Sequence, residues 1–195
     1  EEQDAAIEPD PEHRKVILST SIAETSLTIE GVRIVVDCGL MRVPKFSPRN
    51  GMGRLETVRV SLASANQRRG RAGRTAPGIC YRLWSAEEEA RMAPFNTPEI
   101  LETDLVPLVL ELAKWGVRPN AIGSMAWLDV PPAAKVAQAA ELLRELGALD
   151  KSGAITEEGS AMLALPVHPR LGHAVLRSKR AGFGGTACAL AALLG

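Results

Sequence analysis

Val16-Ile17-Leu18 runs directly into Ser19-Thr20-Ser21-Ile22-Ala23-Glu24-Thr25-Ser26-Leu27-Thr28-Ile29-Glu30. An apolar triplet of this kind suits a strand of a parallel sheet, where both faces are covered. In open α/β sheets, ligands sit beyond the carboxyl ends of the strands. Hydroxyls and unpaired N–H groups at that place suit phosphate or ribose. On pattern alone, a Ser/Thr-rich loop with helix caps is the simpler reading of this stretch. Further strands are predicted at 32–36 and 79–84. Ser85 follows the latter with Glu88 three positions on, a capping box that opens a charged helix. Strands alternating with helices predict an α/β layer.

Working outward, Gln67-Arg68-Arg69-Gly70-Arg71-Ala72-Gly73-Arg74 concentrates guanidiniums and glycines in one short segment. Guanidinium forks match phosphate oxygens bidentately and keep their charge at physiological pH. Glycine lets the backbone approach a phosphate closely. A solvated basic turn or a general RNA patch would use the same residues. Before this segment, Asn50-Gly51 has the composition of a two-residue type I′ turn. The arm 55–60 alternates apolar and polar residues, so 43–60 reads as a β-hairpin projecting from the sheet.

Past Asn96 the pattern turns helical. Pro98 is placed at the first position of a helix, and Asp104 restarts it with Pro107 in a first turn. Leu105, Leu108, Leu112 and Trp115 make one apolar stripe that Gly116 ends. A second helix runs over 133–146, stopped by Gly147. A turn at 150–153 and an extended piece at 154–156 follow, and a further helix begins at Pro169. Helix, helix, short wing, helix is the order of a winged-helix domain.

Composition limits the partners. Lys plus Arg is 23 and Asp plus Glu is 23, so any contact with a polyanion must come from local clusters. Hydrophobic residues at 46% supply a core and argue against wholesale disorder. Cys38, Cys80 and Cys188 are far apart, which fits a reducing compartment rather than a zinc site or disulfide framework. With no secretory signal or long apolar span, the expected location is the cytosol, away from the membrane. An acidic start without methionine and an end inside the apolar run 187–195 read as a piece of a longer chain.

The stretch 19–31 resembles motif V of the DEAH-box helicases, and 67–74 resembles their motif VI. The intervening Pro48-Arg49-Asn50-Gly51-Met52 and Ser64-Ala65-Asn66-Gln67 are also similar to this family, and the later Trp127-Leu128-Asp129 looks closest to its bacterial HrpB type. The resemblance covers essentially the whole chain. It implies a partial second RecA-like domain over 1–97, a winged helix over 98–165, and the start of a helical ratchet domain over 166–195. It implies ATP with magnesium as the cofactor, the metal ligands and phosphate cradle lying upstream in an N-terminal RecA-like domain. RNA is the implied polymer partner. Arg71 and Arg74 would face the γ-phosphate with Gln67 near the attacking water. Ser26, Thr28 and Glu30 would lie toward the nucleotide, and Thr20 and Ser21 would touch RNA phosphates. The hairpin would separate strands, with Arg49 and Arg54 beside its tip.

Three positions depart from the family pattern. Ser21 stands where many relatives carry Asn, Arg69 where Ala is usual, and Ile7 where many stack an aromatic ring on the base. Other residues carry less. His13, His168 and His173 are scattered and read as structural, Cys38 and Cys80 as small core residues, and 87–89 as a solvated first helical turn. A non-enzymatic winged-helix binder would need a basic recognition helix, yet 133–146 holds only Lys135 and Arg144 against Glu141 and Glu145. A scaffold with a dead ATPase fold is disfavoured by the intact arginines. A DNA-directed helicase stays open.

Overall fold

The computed structural model describes residues 7, 8, 10, 12–25, 29–47 and 52–194. The chain divides into two compact units, Glu1–Thr97 and Pro98–Gly195.

In the first unit, a one-turn helix α1 (Ile22–Thr25) precedes strand β1 (Ile34–Asp37). The antiparallel pair β2 (Leu40–Ser47) and β3 (Met52–Arg59) comes next, then helix α2 (Leu62–Ala72), strand β4 (Ile79–Arg82) and the short helix α3 (Ala86–Glu89). β1 and β4 pair in parallel with Ile34 opposite Ile79 and Asp37 opposite Arg82. The expected α/β character is therefore present, with two corrections. The triplet 16–18 forms no strand: Val16 and Leu18 are 82% and 94% exposed. A strand needs a neighbour for its backbone groups, and no described strand pairs with this triplet. Cys38 is exposed rather than in the core, while Cys80 is partly buried, and that burial pushes its thiol above the usual value.

Alternation sets the faces of this sheet. Val35 and Cys80 are half-buried, whereas Ile34, Val36, Ile79 and Tyr81 are exposed. Helix α2 packs on both strands, and small residues allow the approach: Ala65 and Ala72 are 0% and 2% exposed. Gly78 permits the return into β4. A Cβ there would lie 2.0 Å from the Ala72 carbonyl oxygen and 2.7 Å from that of Arg33, so no larger residue fits. The capping box at α3 is formed as expected, Ser85 accepting from Glu88 N–H and Glu88 reaching back to Ser85 N–H.

The hairpin is longer than the expected 43–60 at its root, starting at Leu40. Its register pairs Ser47 with Met52, leaving four positions between them. The expected Asn50-Gly51 turn falls within 48–51, which lie outside the described residues.

In the second unit, α4 (Glu99–Glu102), α5 (Val106–Lys114), a 3-10 turn (Pro119–Ser124), α6 (Ala133–Glu145), α7 (Glu157–Leu163), α8 (Pro169–Arg180) and α9 (Gly184–Leu194) follow one another. Leu105, Leu110, Ile122, Leu143 and Met162 are the largest fully buried side chains of its core. Each contributes about 1.5–3 kcal/mol by leaving water. Pro98 caps α4 from outside rather than sitting inside it. The stripe on α5 also turns out rotated: Val106, Val109 and Leu110 are buried with Leu105 and Leu112, while Trp115 is 75% exposed. Gly116 and Gly147 end their helices at φ of 89° and 71°, as expected of helix stops. Leu149 and Ile155 form an antiparallel bridge, the small wing.

His168 has a structural role at the head of α8. Its Nδ1 accepts from Arg170 N–H at 3.2 Å, and Nε2 lies 2.9 Å from Asp104 Oδ2. Burial raises the Asp104 carboxyl, but hydrogen bonds from His168 and from Val106 N–H, with the His168 and Arg170 charges, outweigh it and hold the group below its ordinary value.

Candidate functional site

The two segments singled out in the sequence meet where α1 leans on α2. Ser61 caps α2, its hydroxyl accepting from Ser64 N–H at 3.2 Å, a contact of a type worth about 1 kcal/mol. The cap fixes where the helix starts and so which side chains share a face. Glu24 of α1 then reaches α2 at two points. Ser64 Oγ donates to Glu24 Oε1 at 2.6 Å, and Arg68 Nε donates to Oε2 at 3.1 Å. Asn96 Nδ2 donates to Ser64 Oγ at 3.1 Å, closing the chain of contacts from behind.

Arg71 Nη2 donates to the main-chain oxygen of Glu24. This half-buried guanidinium is thereby held beside the hydroxyl-rich segment. Arg74 is exposed, one residue past the C-cap Gly73, and Gln67 is exposed one turn before Arg71. Arg69 and Arg71 occupy the last turn of α2, where cations also complement the negative end of the helix dipole. Part of the clustering thus has a structural reason.

Thr20 and Ser21 lead into α1. Their carbonyls accept from Ala23 N–H at 3.4 Å and Glu24 N–H at 2.9 Å, and Thr20 is exposed. Glu30 is exposed within the turn that precedes β1. Ser26, Thr28 and Arg49 lie outside the described residues. Arg54 sits opposite Lys45 on the hairpin and pairs with Glu56, which Lys45 also approaches at 3.4 Å. The Arg54 hydrogen bond, with that of Lys45 and both charges, outweighs slight desolvation and lowers the Glu56 carboxyl. Arg54 remains 76% exposed, and such a surface pair is screened by salt and open to exchange for phosphate.

Arg68, Arg71 and the Ser64 hydroxyl thus meet the hydroxyl-rich segment along one seam between α1 and α2. Among the described residues no group of His, Cys, Asp and Glu could hold a metal ion. Sequence reasoning counted Arg68 in the arginine run without a role of its own, gave Glu24 none, and passed over Asp37, Ser64 and Asn96 as site residues. The only sequence hint was that Ser64, Asn66 and Gln67 belong to the same stretch as the arginines.

The helicase conserved C-terminal domain model matches residues 1–76, and the helicase associated domain (HA2), winged-helix, matches 139–167. The ATP-dependent RNA helicase HrpB of Escherichia coli is 47% identical over 99% of this chain and 24% of its own length. Its crystal structure, described as a DEAH/RHA helicase, superposes with a TM-score of 0.88 over 98% of this chain and 24% of that one, at 47% identity. The chain belongs to the DEAH-box helicase family. The chloroplastic ATP-dependent RNA helicase DEAH12 of Arabidopsis thaliana is 41% identical over 100% of the chain and 11% of its own length. The chain thus spans a quarter or less of these DEAH-box relatives. Among the described residues no helix is long and apolar enough to cross a membrane.

Proposed function

We propose that this chain is part of the motor of a cytoplasmic ATP-dependent RNA helicase, with 1–97 forming most of the second RecA-like domain. In this reading 98–165 is the winged helix and 166–195 opens the helical ratchet domain. One observation carries it: Arg71 in the last turn of α2, with Arg74 just past its end, stands where Glu24 binds the hydroxyl-rich segment to the same helix. A nucleotide and an RNA backbone are both phosphate ligands, and this seam offers guanidiniums for one and hydroxyls for the other.

Arg71 and Arg74 stabilise charge that develops on the transferring phosphoryl group, in the manner of arginines supplied across a cleft. Gln67 orients the attacking water. Ser26, Thr28 and Glu30 face the nucleotide, while Thr20, Ser21, Arg49 and Arg54 meet RNA. Magnesium, held with ATP by residues outside this chain, would supply neutralisation of phosphate charge. The winged-helix binder gains nothing from the fold. Lys135 Nζ donates to Leu101 O at 2.9 Å and Arg144 pairs with Glu141 at 3.1 Å, so both cations of α6 are engaged locally.

The test is hydrolysis of ATP by the full-length protein with magnesium, with and without single-stranded RNA. RNA-stimulated turnover is expected. Absence of stimulated turnover, or a full-length sequence without a GxxxxGK[ST] loop, would overturn the motor reading.

A further inference from the structure

Arg68 lies within the seam, its side chain 15% exposed. Its Nε donates to Glu24 Oε2 at 3.1 Å, and its Nη1 donates to Asp37 Oδ1 at 3.0 Å and to Leu40 O at 3.1 Å. These partners belong to α1, to the carboxyl end of β1 and to the first residue of the hairpin. Asp37 is almost wholly buried, and its Oδ2 has no hydrogen-bond partner among the described residues. Arg68 is the cation that pairs with both carboxylates. The residue whose side chain it holds, Glu24, is also the one whose main-chain oxygen receives Arg71.

Resting on the proposed function, we infer that Arg68 is a positioning residue. It locks the backbone of the hydroxyl-rich segment against α2 and thereby sets the place of Arg71 relative to the phosphates. A planar fork can serve Glu24 through one edge and Asp37 and Leu40 through another, which a lysine ammonium on a flexible stem cannot do. Stability alone does not require this arrangement, because a buried ion pair is often replaceable by apolar residues without loss. Removing the cation alone does cost stability, since it strands two carboxylates in a poorly solvated place. That distinction supplies the test.

Three variants of the full-length protein are compared: Arg68→Met, Arg68→Met combined with Glu24→Gln and Asp37→Asn, and Arg68→Lys. The first is expected to lose both thermal stability and ATPase activity. The neutral triple variant regains the wild-type unfolding temperature, because no charge is left unpaired. Its RNA-stimulated kcat nevertheless stays about 10- to 100-fold low, as for a reacting group held about 1 Å out of place, with KM for ATP little changed. Arg68→Lys keeps the charge and the fold but shows the same kcat defect. Wild-type kcat in a stable triple variant, or in Arg68→Lys, would overturn the inference and leave Arg68 a structural ion pair. Should the triple variant fail to fold, the lysine variant decides. Wild-type protein without RNA-stimulated turnover would instead sink the helicase reading itself.

Discussion

Arg74 stands just beyond the end of α2, exposed, while Arg71 one turn earlier is held by a carbonyl. The role proposed for Arg74 at the transferring phosphate is tested by comparing hydrolysis with RNA binding in a variant that lacks the guanidinium. Arg74→Ala in the full-length protein is expected to cut ATPase activity by roughly 10²-fold or more, as for loss of an arginine finger. RNA affinity should change little. Collapse of RNA binding with surviving ATPase would assign Arg74 to the nucleic-acid surface instead. The run 67–74 could be read from the sequence because guanidinium and glycine chemistry is local. Glu24, Asp37, Ser64 and Asn96 could not. Arg68 finds its two carboxylates 44 and 31 positions away, and only the packing of α1 and β1 on α2 brings them together.

At the scale of elements, the hairpin shows how period-2 reasoning succeeds and slips. Val58 and Val60 share a face with Glu56 and are more buried than their neighbours, whereas Leu55 points the other way and is 55% exposed. One odd position is enough to exchange faces. On the hairpin, Lys45 stands opposite Arg54, and Arg54 is 76% exposed, so cationic groups are available there to meet a ligand. Replacing 49–54 by a two-residue turn removes the pairs from Ser47↔Met52 to Lys45↔Arg54 and leaves the root from Pro44↔Leu55 inward. RNA-stimulated ATPase should persist in that full-length variant while duplex unwinding falls, since a wedge must hold open steps that cost a few kcal/mol each. Unwinding assays with a fluorescent duplex check this, and an unchanged rate would reduce the hairpin to surface decoration. The triplet 16–18 failed as a strand for the complementary reason. An apolar run proposes a strand, but the neighbouring strand that would complete its ladder is set by topology.

For the whole molecule, the question is what this chain can do by itself. It carries guanidiniums suited to a charged transition state, on a helix fixed by Glu24 and Arg68. In the proposed function those groups act on a phosphoryl group that something else must hold. The sequence contains neither a GxxxxGK[ST] loop, whose N–H groups and lysine cradle phosphates, nor a DEAH-like acidic tetrad. Among the described residues no cluster could hold a metal ion either, and the chain corresponds to 24% of HrpB. Binding and metal chemistry supply most of the effective concentration in phosphoryl transfer, and arginines without them have no oriented substrate to stabilise. The purified 195-residue chain is therefore expected to release no phosphate from ATP above background, with RNA and magnesium present. A sensitive phosphate-release assay settles it, with the full-length protein as the positive control. Turnover clearly above background from the chain alone would mean that its own residues hold the substrate, and the division of labour argued for Arg71 and Arg74 would have to be abandoned.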